Sequence, residues 1–260
     1  MTKNLSPDEF LALQLYQNPG HMLFVDFDGL VRQFGKIVAN QMLDALVPIP
    51  GAARDWIVNN YVARDCVSLA VVSDGLKGLS DLIGLDVGVA HNRPWRRHTP
   101  LASGPVLIVT IHDNADFVQM AFAASRERMG VKPVRGACLT LVVEMLARMD
   151  DQPRLSTAWR DLIKGVTESR PALVIIDGRN GVLDGKGDDA ARWFGSLTKA
   201  LAKLHRCGVL VVSDMSEGES LAWHGAVNLI FALDGPPEDV SILRSILDQA
   251  VCEGQLVGPR

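Results

Sequence analysis

The chain has 260 residues, a mass of 28.2 kDa and a formal net charge of −4, which suits one large domain or one domain with an appendage. Hydrophobic residues make up 48% of the chain and charged residues 22%, a mixture that excludes a wholly disordered protein. The four cysteines lie singly in the sequence, so neither a disulfide framework nor structural zinc is expected. Apolar runs are too short to span a bilayer and no signal peptide is recognisable, so we expect a cytoplasmic protein.

The N-terminal part of the chain predicts a helix, a short strand at residues 22–25 and a second helix. Ser6 is a typical N-cap, Pro7 suits the first helical position, and Glu9 stands three residues after the cap, as in a capping box. A second helix is expected over residues 37–46, and the proline-rich residues 48–51 then interrupt the pattern.

Beyond this break, apolar runs of strand length alternate with helix-like segments. The runs consist almost entirely of Val, Ile and Leu, which is typical of parallel strands buried on both faces. Residues 190–205 form the clearest amphipathic helix between them. This alternation predicts a doubly wound α/β fold. The predicted strands are residues 67–72, 106–110, 173–176, 209–212 and 227–233.

The loop after the first strand has the position of a phosphate-binding P-loop. It reads Ser73-Asp74-Gly75-Leu76-Lys77-Gly78-Leu79-Ser80 and precedes a helix expected over residues 81–90. A P-loop uses glycines to wrap backbone N–H groups around phosphate and ends in Gly-Lys-Ser/Thr. Here Leu79 occupies the lysine position, and Lys77 stands two residues earlier. A purely structural strand–turn–helix connection is the alternative.

Several motifs, taken in order, resemble RecA-like ATPases of the plasmid RepA replicative-helicase type. Residues 53–58 resemble the lead-in to the P-loop strand, residues 88–95 the end of the following helix, and residues 104–109 the next strand. Residues 171–177 resemble the Walker B strand and residues 207–212 the sensor strand. The resemblance implies a RecA-like sheet flanked by helices, with an N-terminal extension (1–52), a core (53–234) and a C-terminal helical tail (235–260).

The catalytic positions of this family are mostly replaced. The P-loop lysine falls on Leu79, the catalytic glutamate on His112, and the histidine pair on Ser213-Asp214. The resemblance therefore implies a pseudo-ATPase without catalytic residues, because the transition-state charge of phosphoryl transfer is left uncompensated. Residual activity through Asp113 is the alternative. The vestigial nucleotide loop and Walker B comprise Gly75, Lys77, Gly78, Ser80 and Asp177.

No cofactor is expected to be required, although weak binding of ATP with Mg²⁺ stays open. Asp177 and Ser80 have simpler interpretations as a turn-capping residue and a first-turn helix residue. The simpler interpretation of His112 is that its side chain takes part in a local hydrogen bond.

Two further regions are candidates for contact with nucleic acid or a protein. The first is a basic-aromatic cluster of Arg93, Trp95, Arg96 and Arg97, a composition that stacks on bases and binds phosphates. The second is the glycine-rich loop of residues 178–189, which carries Arg179 and Lys186. A surface turn and a plain surface loop are the alternatives.

A competing enzyme interpretation rests on residues 24–29. This segment resembles the first motif of haloacid-dehalogenase-type phosphatases, with Asp26 as nucleophile and Asp28 as acid/base. Residues 70–75 resemble the second motif, but the acidic pair of the fourth motif is reduced to Asp177.

The preferred hypothesis is a catalytically inactive RecA-like protein that forms a ring or dimer, or binds a related motor ATPase. A DNA-binding accessory role is the alternative, which the mildly acidic net charge disfavours.

Overall fold

The computed structural model describes residues 5–17, 27–39, 42, 54–72, 75–149, 153–178, 183–184, 188–213 and 227–233. The helices are α1 (Pro7–Gln17), α2 (Phe27–Phe34), α3 (Gly75–His91), α4 (His112–Met129), α5 (Thr157–Ser169) and α6 (Asp188–His205). The strands are β1 (Trp56–Val58), β2 (Val62–Ala63), β3 (Val67–Val72), β4 (Val106–Ile111), β5 (Cys138–Val143), β6 (Ala147–Met149), β7 (Pro153–Leu155), β8 (Leu173–Asp177), β9 (Leu183–Asp184), β10 (Gly208–Ser213) and β11 (Leu229–Leu233).

A parallel sheet forms the centre of the protein, in the order β11-β3-β10-β8-β4-β5. One apolar core lies between the sheet and helices α1, α5 and α6, and a second lies on the opposite face under α3 and α4. The predicted α/β fold is confirmed, as are all five predicted strands.

The edge strand β5 is not among the predicted strands. Its sequence, CLTLVV, has strand composition, but Thr140 interrupts the apolar run and most of its residues are only half-buried. Two small sheets were also not predicted: the β1–β2 hairpin and the three strands β7-β6-β9. Strands of two or three residues leave too short a pattern to be recognised.

The N-terminal helix has the predicted capping box. The Glu9 amide donates to Ser6 Oγ at 3.3 Å, and the Ser6 amide donates to Glu9 Oε2 at 2.7 Å. Helix α1 packs on α6, where Asp8 Oδ1 lies 3.1 Å from His205 Nε2. Residues 36–39 are helical, as expected. The predicted strand at residues 22–25, most of residues 40–46 and the predicted C-terminal helix lie outside the described residues.

Helix α3 begins earlier than predicted. It starts at Gly75 rather than at residue 81, so only residues 73 and 74 separate it from β3. This short connection presses Gly78 against the strand: a Cβ at this position would lie 2.5 Å from the Val72 Cβ. Any side chain at position 78 would therefore force the helix away from the sheet.

The second core contains a carboxyl group on α3. Asp86 is completely buried, and neither of its side-chain oxygens has a hydrogen-bond partner among the described residues. Burial raises the pKa of Asp86 well above its ordinary value.

Within the part of the chain that the structure describes, no helix is long and apolar enough to cross a membrane.

Asp86 predicts a pH-dependent stability. The unfolded chain releases the Asp86 proton above a pH of about 4, whereas the folded protein retains it to a higher pH, so this group makes the free energy of unfolding fall as the pH rises. We expect Asp86→Asn to reduce this fall and to be more stable than wild type by about 1 kcal/mol or more at pH 8. Urea unfolding between pH 5 and pH 8 measures the difference. Asp161→Asn, at an exposed site on α5, is the matched control; equal slopes for wild type and Asp86→Asn would contradict the prediction.

Candidate functional site

Polar residues gather at the carboxyl ends of the central strands, where ligands bind in open α/β sheets. Asp177 ends β8, Ser213 ends β10, and Thr110 lies one residue before the end of β4. All three are buried. The strand register places Asp177 beside Val212, so these residues come together in the folded protein from separate parts of the sequence.

The Asp177 carboxylate is the centre of this cluster. Asn114 Nδ2 donates to Asp177 Oδ2 at 2.9 Å, and Thr110 Oγ1 approaches the same oxygen at 3.4 Å. These bonds reach Asp177 from β4 and from the first turn of α4. Asn114 was not predicted as a site residue. Its one signal in the sequence is a short polar side chain just after an apolar strand.

The residues predicted to form the nucleotide loop lie in helix α3. Gly75, Lys77, Gly78 and Ser80 occupy its first two turns, with Lys77 exposed, Gly78 buried and Ser80 half-buried. The helix itself leaves only its first four N–H groups without an intrahelical partner. Among the described residues of this segment, the backbone donors for an anion are therefore those of residues 75–78, at the N-terminal end of the helix.

Leu79 occupies the position equated with the P-loop lysine. Its side chain is 0% exposed and belongs to the core beneath α3. Lys77 does not replace it, because residues two apart on a helix are rotated by about 200° from each other. The nearest ammonium group in the sequence thus lies on the solvent side of the helix, while position 79 faces the apolar core.

The two candidates for a catalytic base occupy the start of α4. His112 and Asp113 are its first residues, and both are exposed, whereas Asn114 beside them is buried. The third equated position, Ser213-Asp214, is described only at Ser213, which is buried at the end of β10. Asp214 lies outside the described residues.

Comparison with known families agrees with this architecture. A family model described as an AAA domain matches residues 43–216, more than half of the chain. The chain belongs to this AAA-domain family, whose members are P-loop ATPase-like proteins of the RecA-like class. No curated protein matches the chain.

The basic-aromatic cluster of this AAA domain divides into an inner and an outer pair. Trp95 is 1% exposed, and its Nε1 donates to the Asp81 carbonyl oxygen at 2.9 Å. Arg96 Nε and Nη2 contact Asp81 Oδ2 at 2.9 and 2.7 Å. Trp95 is therefore not presented for stacking on bases, while Arg93 and Arg97 are exposed. Arg179 and Lys186, the other predicted contacts, lie outside the described residues.

The phosphatase interpretation finds no support in the described residues. Asp28 lies in the first turn of α2 rather than after a strand, and Asp26 is outside those residues. The described residues also contain no cluster of three His, Cys, Asp or Glu that suits a metal ion.

Cys66, Cys138 and Cys207 are free thiols, and burial raises the pKa of Cys138 and of Cys207 to about 12.

Leu79→Lys tests whether position 79 can carry the missing charge. Placing an ammonium group in this core costs its desolvation, so we expect the free energy of unfolding to fall by about 3 kcal/mol or more, with no gain in ATP binding. Leu79→Met keeps the volume and apolar character and should cost less than about 1.5 kcal/mol. Urea unfolding and ATP titration of both variants measure these effects. A Leu79→Lys protein as stable as Leu79→Met, with tighter ATP binding, would show that position 79 can face a nucleotide.

Proposed function

We propose that this AAA domain is a non-hydrolysing relative of the RepA-type replicative-helicase ATPases of plasmids or phages. It acts through protein contacts, and its affinity for ATP with Mg²⁺ is weak or lost. The observation that carries this proposal is the complete burial of Leu79 at the position of the P-loop lysine.

Phosphoryl transfer depends on positive charge placed against the phosphate oxygens. Leu79 supplies none, and Lys77 projects from a different side of α3. The surviving family positions, Ser80 and Asp177, belong to the metal side of such a site. A pair of potential Mg²⁺ ligands without phosphate-neutralising charge leaves the largest electrostatic contribution to catalysis missing.

The position of the catalytic glutamate supports the same proposal. His112 replaces it, and the adjacent Asp113 is exposed at the start of α4. The buried residue of this turn is Asn114, whose amide donates to Asp177. This bond ties the start of α4 to β8 through an amide that is neither acid nor base at neutral pH.

Loss of turnover does not remove the surfaces by which RecA-like domains associate. Such folds assemble into rings through repeated head-to-tail contacts. We therefore propose that the protein associates with itself or with a related motor ATPase. The formal net charge of −4 disfavours DNA as the main partner.

Calorimetric titration with ATP and Mg²⁺ and a phosphate-release assay test the proposal together. We expect no phosphate release above the protein-free rate, with or without single-stranded DNA, and no difference between wild type and Asp113→Asn. Light scattering should give a solution mass above the 28.2 kDa of one chain, or a complex on addition of a related motor ATPase.

Hydrolysis that disappears in Asp113→Asn would instead identify an ATPase with Asp113 as its base. A monomer that binds DNA with an affinity falling steeply as salt rises would favour the DNA-binding alternative.

A further inference from the structure

We propose that a cleft beside the Trp95 turn is a binding site for a small phosphomonoester. The cleft lies between the middle of α3, the end of α4 and the turn at residues 93–96, and its volume is about 500 Å³. This inference does not depend on the proposed loss of hydrolysis. The lining residues are Asp81, Gly84, Arg93, Pro94, Trp95, Arg96, Arg128 and Met129.

The size and charge of the cleft fit a small organic anion. Pockets for small molecules commonly measure about 300–1,000 Å³ and combine apolar walls with a few polar groups. Here Pro94 and Met129 provide the accessible apolar surface, while Trp95 lines the cleft but is almost completely buried. Guanidinium groups bind phosphate oxygens in bidentate geometry, and three of the lining residues are arginines against one aspartate.

Arg96 pairs with Asp81 but keeps one nitrogen without a partner among the described residues. Only 7% of its side-chain surface is exposed, and its Nε and Nη2 share a single oxygen of Asp81. Its Nη1 is buried and has no hydrogen-bond partner among the described residues. A buried guanidinium that is incompletely hydrogen-bonded favours a nearby anion, because attraction between charges is stronger away from water.

The lining of the cleft includes two further arginines. Arg93 and Arg128 are exposed, and Arg128 Nη2 donates to Ser125 Oγ at 3.1 Å. A guanidinium has five N–H donors, so this bond leaves most of the Arg128 donors for a phosphate. Two arginines beside an apolar wall favour a phosphate ester with an apolar group over inorganic phosphate alone.

Gly84 lines the cleft and has no side chain of its own. A Cβ built at Gly84 would lie 3.6 Å from Trp95 Cδ1 and 3.7 Å from Arg128 Nη2, which are ordinary contact distances. The fold therefore accepts a Cβ atom there. A side chain at this position would project towards the lining residues, so Gly84 is the position at which the cleft can be filled without changing its charge.

The cleft is separate from the cluster around Asp177. Asn114 and Arg128 are fourteen residues apart on α4, which corresponds to about 21 Å along the helix axis. A ligand in the cleft is thus distinguishable from a nucleotide at the carboxyl ends of the strands.

Titration with phenyl phosphate, followed by the indole N–H resonance of Trp95 in two-dimensional NMR spectra, tests the site. We expect a saturable shift of this resonance and about tenfold weaker binding for Arg93→Gln and for Arg128→Gln. Arg97→Gln is the matched control, since it removes the same charge from the same turn at a residue that does not line the cleft; its affinity should stay within twofold of wild type. Gly84→Leu should abolish binding with the charge unchanged, and its circular dichroism spectrum reports whether it folds.

Absence of a Trp95 shift up to millimolar phenyl phosphate would overturn the proposal. Equal weakening by Arg93→Gln and Arg97→Gln would also overturn it, because the effect would then come from general surface charge. A third contrary result is binding of single-stranded DNA, but not of phenyl phosphate, with equal dependence on both arginines; this would identify a nucleic-acid surface instead.

Discussion

The close contact between helix α3 and strand β3 determines the directions in which the side chains of α3 point. Gly78 lies directly against Val72, with no room for a Cβ between them. Once this contact sets the rotation of α3, Leu79 is directed into the apolar core and Lys77 towards solvent. The same rotation places Asp81 and Gly84 opposite the Trp95 turn. A single helix–strand contact thus separates an apolar face of α3 from a face that carries polar interactions.

Polar side chains are buried at the carboxyl ends of the strands. A buried carboxylate is costly unless it receives hydrogen bonds, and Asp177 receives one from Asn114 across the gap between β8 and α4. This bond links α4 to β8, and Thr110 Oγ1 on β4 approaches the same carboxylate oxygen at 3.4 Å. The polar cluster therefore stabilises the carboxyl ends of the central strands, whether or not a ligand also binds there. Asp86 shows the opposite case, since it is buried without a partner among the described residues.

Three arginines line the cleft between α3, α4 and the Trp95 turn, away from the carboxyl ends of the strands. Asp81 offsets Arg96 in part, while Arg93 and Arg128 remain exposed beside them. A chain with a net charge of −4 can therefore present a local site for an anion, because the field near a partly closed cleft depends on its own lining rather than on the total charge. Gly88 helps to form the cleft: a Cβ there would lie 2.8 Å from the Arg93 carbonyl oxygen, so glycine lets the turn approach α3.

The sequence by itself determined the α/β class, five of the six strands of the main sheet and the capped start of α1, because burial on both faces and helix capping leave local patterns of residue type. It also singled out Asp177 and Leu79 through their positions after strands, and the basic cluster through its composition. The tertiary structure alone decided that α3 begins at Gly75, that Asn114 reaches Asp177, and that Arg96 pairs with Asp81 beside a cleft. These features depend on contacts between segments far apart in the chain, and residue order records which groups are available but not which of them packing brings together.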